Sequence, residues 1–452
     1  MEEQRDRGLM TSGSIPKRIF WFSVPLLLGN LFQQLYNAVD SAIVGRFVGK
    51  EALAAVGSSM SMINLVVSLF MGIAIGGTVC VSQYYGARDK EGLHHAIHTI
   101  AAFSLVAGVL MSILGVVLSK WLLIAMGTPE DVLEYSTLYF KIFFGGALPL
   151  VIYNMGSGLL RAVGDSKRPL YYLIVSSILN IIFDLLFVAV FHWGIAGAAI
   201  ATVLAQGLSA LLVVRVLITT NEDYRLILKD VRFYGRQLNN IVSVGLPSGV
   251  QNAVVSLSNV FVQSSINSFG TLAMAGCGAY MKVDGFVLLP VMSFSMAMTT
   301  FTGQNMGAGN YDRVKKGIKT GAFMSMGTVV VIVLLLQVAA EPILSIFSTD
   351  PEVVAIGIQM MHVMSMGYVI VALSHALAGA LRGAGLTKVP MVVMIGCWCV
   401  LRILWIKYVG KPMERLDVVL MGYPVTWMCS TVIMLIYIAK VDWIHYYEKH
   451  LK

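Results

Sequence analysis

Ser23–Gly45 reads SVPLLLGNLFQQLYNAVDSAIVG, an apolar run whose single charged side chain, Asp40, lies near its far end. At about 1.5 Å rise per residue, the segment from Ile19 to Phe47 is long enough to cross a bilayer core of about 30 Å as one helix. An ionised aspartate in hydrocarbon costs at least about 2.5 kcal/mol, so Asp40 must face protein or a watery cavity, and it marks a functional site by default. Gln33, Tyr36, Asn37 and Asp40 fall at i, i+3, i+4 and i+7 and share one stripe, while Leu31, Leu35 and Val39 point elsewhere. Such a stripe reads as a cavity wall. A seam that merely holds helices together would be served by Ser, Asn or Gln without the charge.

Working outward, the composition sets the class. Of 452 residues, 57% are hydrophobic and 12% charged, which excludes an ordinary soluble protein. Twelve apolar runs of about twenty residues recur, starting near residues 18, 53, 93, 131, 168, 194, 238, 272, 317, 353, 387 and 416. No hydrophilic gap is long enough for a soluble domain. The first eighteen residues, MEEQRDRGLMTSGSIPKR, mix acids with bases and do not read as a cleaved signal peptide. Basic residues concentrate in the even-numbered connections, for example Arg161, Lys167 and Arg168, and Arg225, Lys229, Arg232 and Arg236. Odd-numbered connections hold few. By the positive-inside rule the even connections and both termini are expected to be cytoplasmic in a multi-pass plasma-membrane protein. The net charge of +8 is then a topogenic signal that needs no nucleic-acid partner. The basic connector from Thr219 to Gln237 is expected to be solvated, with anionic lipid as its other possible neighbour. Cys80, Cys277, Cys397, Cys399 and Cys429 lie inside apolar runs and are expected to be packing residues.

The chain repeats itself. Gln83-Tyr84-Tyr85-Gly86-Ala87 is answered 221 residues later by Gln304-Asn305-Met306-Gly307-Ala308. Arg161 to Pro169 is answered by Arg382 to Pro390, with Arg, Gly, Lys and Pro in the same places, and Pro25 by Pro247. A six-helix unit is written twice. Six is even, so the halves have the same orientation, and the expected fold is all-α: twelve transmembrane helices in two six-helix bundles related by a pseudo-twofold axis along the membrane normal. The expected organisation is a cytoplasmic segment 1–17, a first lobe 18–219, a linker 220–237, a second lobe 238–440 and a cytoplasmic tail 441–452. Two like bundles around a cleft are the build of an alternating-access transporter, with Pro25, Pro149, Pro247 and Pro290 as candidate bends.

Polar groups inside the spans can be placed by depth. Ser177, Asn180 and Asp184 share one face of the fifth span, and Thr202 and Gln206 one face of the sixth. Asp40, Asp184 and Thr202 each lie five to nine residues from the extracellular end, on the order of 8 to 13 Å deep. Carboxylate, carbonyl and hydroxyl oxygens at one level suit a hard cation, and paired carboxylates shielded from water can carry protons.

These motifs, in this order and twice over, resemble the multidrug and toxic compound extrusion (MATE) transporters. The resemblance covers nearly the whole chain. It implies export of organic cations and other amphipathic toxins by a monomer in the lipid bilayer, in exchange for inward protons or sodium and without an organic cofactor. It implies an ion site at Asp40, Asn180, Asp184 and Thr202, which would be the metal ligands if sodium is the ion, and a drug cavity at Gln33, Tyr36, Asn154 and Ser177. Asn37 and Gln206 join that cavity by their place on the same stripes. The seventh span has Asn252, Asn259 and Gln263 but no carboxylate, and the tenth has His362 and His375, so a coupling site is not expected in the second lobe. Lone histidines are expected to be packed or interfacial and not proton relays. Lys282 and Asp284 look like the family's basic-x-acidic pair, either as an internal salt bridge or as part of a conformational switch. Arg402, between Trp398 and Trp405 at i−4 and i+3, is expected to stack on an aromatic face in a structural or gating role. Met292, Met296 and Met298 suit either a cavity for unlike molecules or simple core.

Two other classes compete. A lipid-linked oligosaccharide flippase has a similar two-bundle build but should line its cavity with several cations, and only Lys141, Lys282 and Arg402 lie in the spans. A membrane enzyme would need a reactive cluster at the membrane surface, and none appears.

Overall fold

The computed structural model describes residues 9–125, 127–444 and 448, and among these it is helical throughout, with no strand. In the first half the helices are α1 (Ile15–Phe47), α2 (Lys50–Ala87), α3 (Lys90–Ala125), α4 (Glu130–Gly145), α5 (Ala147–Ala162), α6 (Lys167–Asp184), which continues as a π-helical turn Leu185–Val190, and α7 (Gly194–Thr219). The second half holds α8 (Gly235–Asn267), α9 (Thr271–Gly307), α10 (Tyr311–Val338), a short α11 (Ala340–Ser345) and α12 (Pro351–Gly383). It ends with an interrupted helix of α13 (Lys388–Met394), α14 (Arg402–Trp405) and α15 (Lys411–Met413) joined by π-helical turns, and with α16 (Leu416–Leu420) and α17 (Gly422–Lys440).

Nine stretches are long and apolar enough to span a membrane, and two bent pairs bring the number to eleven among the described residues. The twelfth span is α1, whose 33 residues are ample in length. Its Asn30, Gln33, Gln34, Asn37 and Asp40 dilute the apolarity by which the others are recognised. The twelve-span, two-bundle, all-α reading therefore holds.

The repeat extends to irregularities. The fourth span bends by 52° between Gly145 and Ala147, and the tenth by 48° between Ser365 and Gly367. The offset of 221 carries Gly146 onto Gly367. It also carries the start of the π turn at Leu185 onto that at Ile406. Breaks of the helical ladder need a local cause, and the recurrence of these at equivalent positions makes them part of the fold.

The chain divides into two compact units. The first is built on Leu28–Gly249, the second on Leu9–Leu27 with Val250–Lys452. α1 thus changes unit two residues after Pro25, and α8 two residues after Pro247. Each unit has its own apolar core, the first around Val44, Ile97, Phe140, Phe144 and Leu160, the second around Ile19, Val291, Phe301, Met361 and Leu381. Met298 belongs to the second core, whereas Met292 is exposed.

In the first unit, α2 and the start of α8 meet through glycines four apart. A Cβ on Gly72 would lie 2.2 Å from the Gly249 nitrogen, and one on Gly76 would lie 2.3 Å from the Ile241 oxygen. Only residues without side chains let two helices approach so closely. The connector is not the solvated loop expected from its charge. Its Tyr224 and Leu226 are buried. The Ile227 N–H donates to His98 Nε2 (2.9 Å), the Tyr234 N–H to Thr99 Oγ1 (3.2 Å), and Lys90 pairs with Asp223 at 2.9 Å. Backbone donors left free by the absence of helix in the connector find side-chain acceptors on α3.

In the second unit the lead-in is tied to the repeat motif. Gln304 Oε1 accepts from the Met10 N–H at 2.7 Å, and Asn305 donates to the Met10 carbonyl at 3.3 Å. The Arg313 guanidinium donates to the carbonyls of Met10, Ser12 and Gly13 at 2.8–3.2 Å. Expectations for residues 1–8 and for most of the tail 445–452 lie outside the described residues.

Candidate functional site

The polar stripe of α1 is graded. Gln33 is exposed, Tyr36 and Asn37 are half-buried, and Asp40 is 3% exposed, while Leu35 and Val39 look outward. On α6, Ser177, Asn180 and Asp184 are buried, whereas Ile178, Ile182 and Leu185 are exposed, as a single polar face requires. Asp184 is the last residue before the π turn. Thr202 is buried on α7, its hydroxyl donating to the Ala198 carbonyl at 3.1 Å, and Gln206 lies one turn further on.

These three helices converge within the first unit. The Asp40 and Asp184 carboxyls lie within hydrogen-bonding reach of each other. A small recess is lined by Tyr36, Ser176, Ser177, Asn180, Thr202 and Gln206, and Gln206 is beside the Tyr36 hydroxyl. The hydrogen-bond inventory is unusual. Asp40 Oδ1, both Asp184 oxygens, both amide atoms of Asn180, the Ser177 hydroxyl and Gln206 Oε1 are buried with no protein partner among the described residues. Nearly all buried polar groups in proteins are paired, so a cluster of orphans, five of them acid or amide oxygens, is built to hold something. Two carboxyls side by side attract only when a proton or cation lies between them.

Tyr139 of α4 was missed by the sequence reading. It is fully buried, faces Asp40, Tyr36 and Asp184, and its hydroxyl also has no protein partner. It lies nine residues in from Glu130, so the depth rule applied to the fourth span would have found it. Asn154 stands apart from the group. Its amide donates to the Leu150 carbonyl at 2.9 Å, and it lines a second, apolar recess with Phe70, Met71, Ala74 and Met155.

The second unit is arranged differently. At the 221 offset Asp184 becomes Trp405 and Thr202 becomes Tyr423, so aromatic rings stand where the first unit has oxygens. Arg402 is 1% exposed and has only neutral partners among the described residues. It donates to Thr426 Oγ1 (3.0 and 3.3 Å) and Asn259 Oδ1 (3.4 Å), and it lies 4.3 Å over the Tyr423 ring and 5.8 Å over Trp398. The expected stacking occurs, with Tyr423 in the place foreseen for Trp405, whose Nε1–H is committed to the Val418 carbonyl at 2.8 Å. Of the two readings of Lys282 and Asp284, the internal salt bridge is not formed, because residues two apart point to different sides of a helix. Lys282 lies over the Phe347 ring at 5.4 Å, and Asp284 accepts from the Tyr368 hydroxyl, which also pairs with Tyr280. His375 is buried edge-on to Trp398, and His362 is exposed. Pro25 is buried within α1, in the second unit.

One further cluster has metal-ligand character. His94, His98 and Asp230 bring ligand atoms within 4.8 Å of one another. Both His98 nitrogens are occupied, Nδ1 with the His94 carbonyl (2.6 Å) and Nε2 by the Ile227 N–H, so the cluster serves as an anchor for the connector. The five cysteines are free, four of them buried, as packing residues should be.

Comparison with known proteins agrees with this architecture. The MatE family profile matches residues 25–186 and 247–406. The chain is 31% identical to the probable multidrug resistance protein YoeA of Bacillus subtilis, over 94% of this chain and 93% of that protein. It is 26% identical to the probable multidrug resistance protein NorM of Thermotoga maritima (85% and 83%), and 25% identical to an FAD transporter of Shewanella oneidensis (93% and 94%). Among solved structures, the outward-facing conformation of a multidrug resistance MATE family transporter matches with a TM-score of 0.90 at 24% identity, covering 98% of this chain and 99% of that one.

Proposed function

The chain belongs to the MatE family of membrane transporters, and on that premise we propose that it exports amphipathic, mainly cationic small molecules across the plasma membrane in exchange for an inward-moving proton or sodium ion. Asp40 and Asp184 are the coupling pair. The observation that carries the reading is their juxtaposition in the first unit, amid buried oxygens that no donor among the described residues satisfies. A proton fits between two carboxyls in contact. The orphaned Asn180 carbonyl oxygen and the Thr202 hydroxyl would complete the set for sodium, a hard ion that takes oxygen ligands.

In the cycle we infer, the ion enters from outside when the cleft opens outward, neutralises the pair and removes its attraction for a cationic cargo. Cargo held along Gln33, Tyr36, Asn37, Ser177 and Gln206 is released. The ion-loaded form then turns inward and discharges, and no organic cofactor takes part. Both termini lie in the cytoplasm, and one chain carries the full cycle. A relative named for FAD adds nucleotide cargo to the molecules worth testing.

The test is transport of a fluorescent lipophilic cation into proteoliposomes, with pH and sodium gradients imposed separately. One gradient alone should drive uptake, and Asp40→Asn or Asp184→Asn should lower the driven rate by about 10²-fold, the lower end of what loss of a positioned proton-transfer group costs. Driven transport that survives both substitutions would overturn the reading.

A further inference from the structure

On the second unit, α10, α12 and α17 do not close against one another along their full length. They leave a groove of about 560 Å³, within the range of about 300–1,000 Å³ typical of ligand sites. Its walls are apolar, formed by Ile318, Ala322 and Met326 of α10, Leu377 of α12 and Leu435 of α17. Phe323 stands at its lip with 73% of its surface exposed.

The groove is charged at one end only. Lys315 and Lys319, one helical turn apart on the same face of α10, are the charged residues that line it. Both are exposed, and neither is ion-paired among the described residues. Trp443, an aromatic with a polar edge suited to the membrane boundary, lines the groove as well. The dimensions carry the argument further. From Lys315 to Met326 α10 rises about 16 Å, which is close to half of the roughly 30 Å hydrocarbon core. The slot is therefore one leaflet deep, with two cations where head groups begin.

We propose that this groove binds one anionic phospholipid, an acyl chain lying between α10, α12 and α17 and the phosphate held by Lys315 and Lys319. An apolar slot explains the chain, and the lysine pair explains the charge. A zwitterionic lipid brings its own ammonium to the same place and gains less. The proposal rests on the chain's spanning a membrane and is independent of the ion site in the first unit.

Native mass spectrometry of the purified full-length protein, titrated with phosphatidylglycerol or phosphatidylcholine of identical chains, tests it. Two lysines at the surface predict a preference of about thirtyfold for phosphatidylglycerol at low salt. The preference should fall to about twofold in the Lys315→Gln/Lys319→Gln variant, and Ala322→Trp, which fills the slot, should weaken retention of both lipids. Because Ala322→Trp could perturb folding, the exposed lysine variant carries the decision, with its thermal midpoint in phosphatidylcholine as the control. Equal binding of both lipids by the unmodified protein would reduce the groove to ordinary annular contact. Survival of the preference in the lysine variant would place the anion elsewhere. Displacement of phosphatidylglycerol by tetraphenylphosphonium would assign the groove to cargo. Tighter lipid binding after deletion of residues 445–452 would make the chain's own tail the occupant. Each of these four results would overturn the proposal.

Discussion

Asp40 is the residue through which the chain first becomes interpretable, and its surroundings show how much a single charge can imply. A buried acid must find a cation, a donor or a second acid that shares its proton. Here it finds Asp184, with the buried Tyr139 near both. Tyr139→Phe keeps the ring and removes the hydroxyl. It should displace the pH dependence of driven transport and leave the thermal midpoint within about 1 kcal/mol of stability, because the hydroxyl lost makes no bond to the described residues. A pH–rate profile beside a melting curve checks both. Arg402 poses the reverse problem, a buried guanidinium among neutral partners. Replacing a buried ion with an apolar side chain of similar length is often neutral or better for stability. Arg402→Met should therefore unfold no earlier than the unmodified protein yet transport more slowly. A lower midpoint with normal transport would make Arg402 purely structural.

At the scale of elements, the helices owe their positions to small residues and to local breaks of the helical ladder. The crossing of α2 and α8 depends on Gly72 and Gly249, whose backbones nearly touch. Gly72→Val must push the helices apart. The cost expected from overpacking is about 1–3 kcal/mol, read as a lower midpoint, with Gly72→Ala intermediate. The lead-in depends equally on Arg313, whose guanidinium bridges three carbonyls. Arg313→Ala should speed hydrogen exchange at the amides of Met10–Ser14 by about tenfold, corresponding to loss of roughly 1.5 kcal/mol of charge-assisted hydrogen bonding, while core amides of the second unit stay unchanged. The number of spans was readable from the sequence because about twenty apolar residues in a row admit few other structures. The bend at Gly146, the π turn after Asp184 and the anchoring of the connector were not. Each depends on which neighbour satisfies a backbone group once the ladder is interrupted.

For the whole molecule, the distribution of basic residues makes a prediction about sidedness. Single cysteines placed at Asp223 in the connector and at Glu130 at the start of α4, in a chain otherwise free of cysteine, should be modified from opposite faces of sealed vesicles, the connector from the cytoplasmic face only. Labelling of both positions from one side would reverse or break the topology. The two halves of the chain also differ in their buried polar groups in a way that the repeat alone conceals. Sequence similarity between them is strongest in the Gln-x-x-Gly-Ala and Arg-to-Pro motifs, whereas the buried oxygens of the first unit become Trp405 and Tyr423 in the second. A duplicated fold has kept its frame while its buried pair of acids, Asp40 and Asp184, lies in one copy and its buried Arg402 in the other.

By itself, the sequence determined that this chain spans a membrane twelve times, that it is a duplicated six-helix unit, and which side chains had to be sheltered from lipid. Those conclusions follow from period, length and the cost of charge in hydrocarbon, all of which act along the chain. Only the tertiary structure decided that Asp40 meets Asp184 with Tyr139 beside them, that Asn154 stands apart, that Lys282 and Asp284 turn away from each other, and that α10, α12 and α17 leave a groove. Helical periodicity specifies the face on which a residue lies. The neighbour that face meets is set by how long, separately folded segments pack, and no spacing within one segment encodes it.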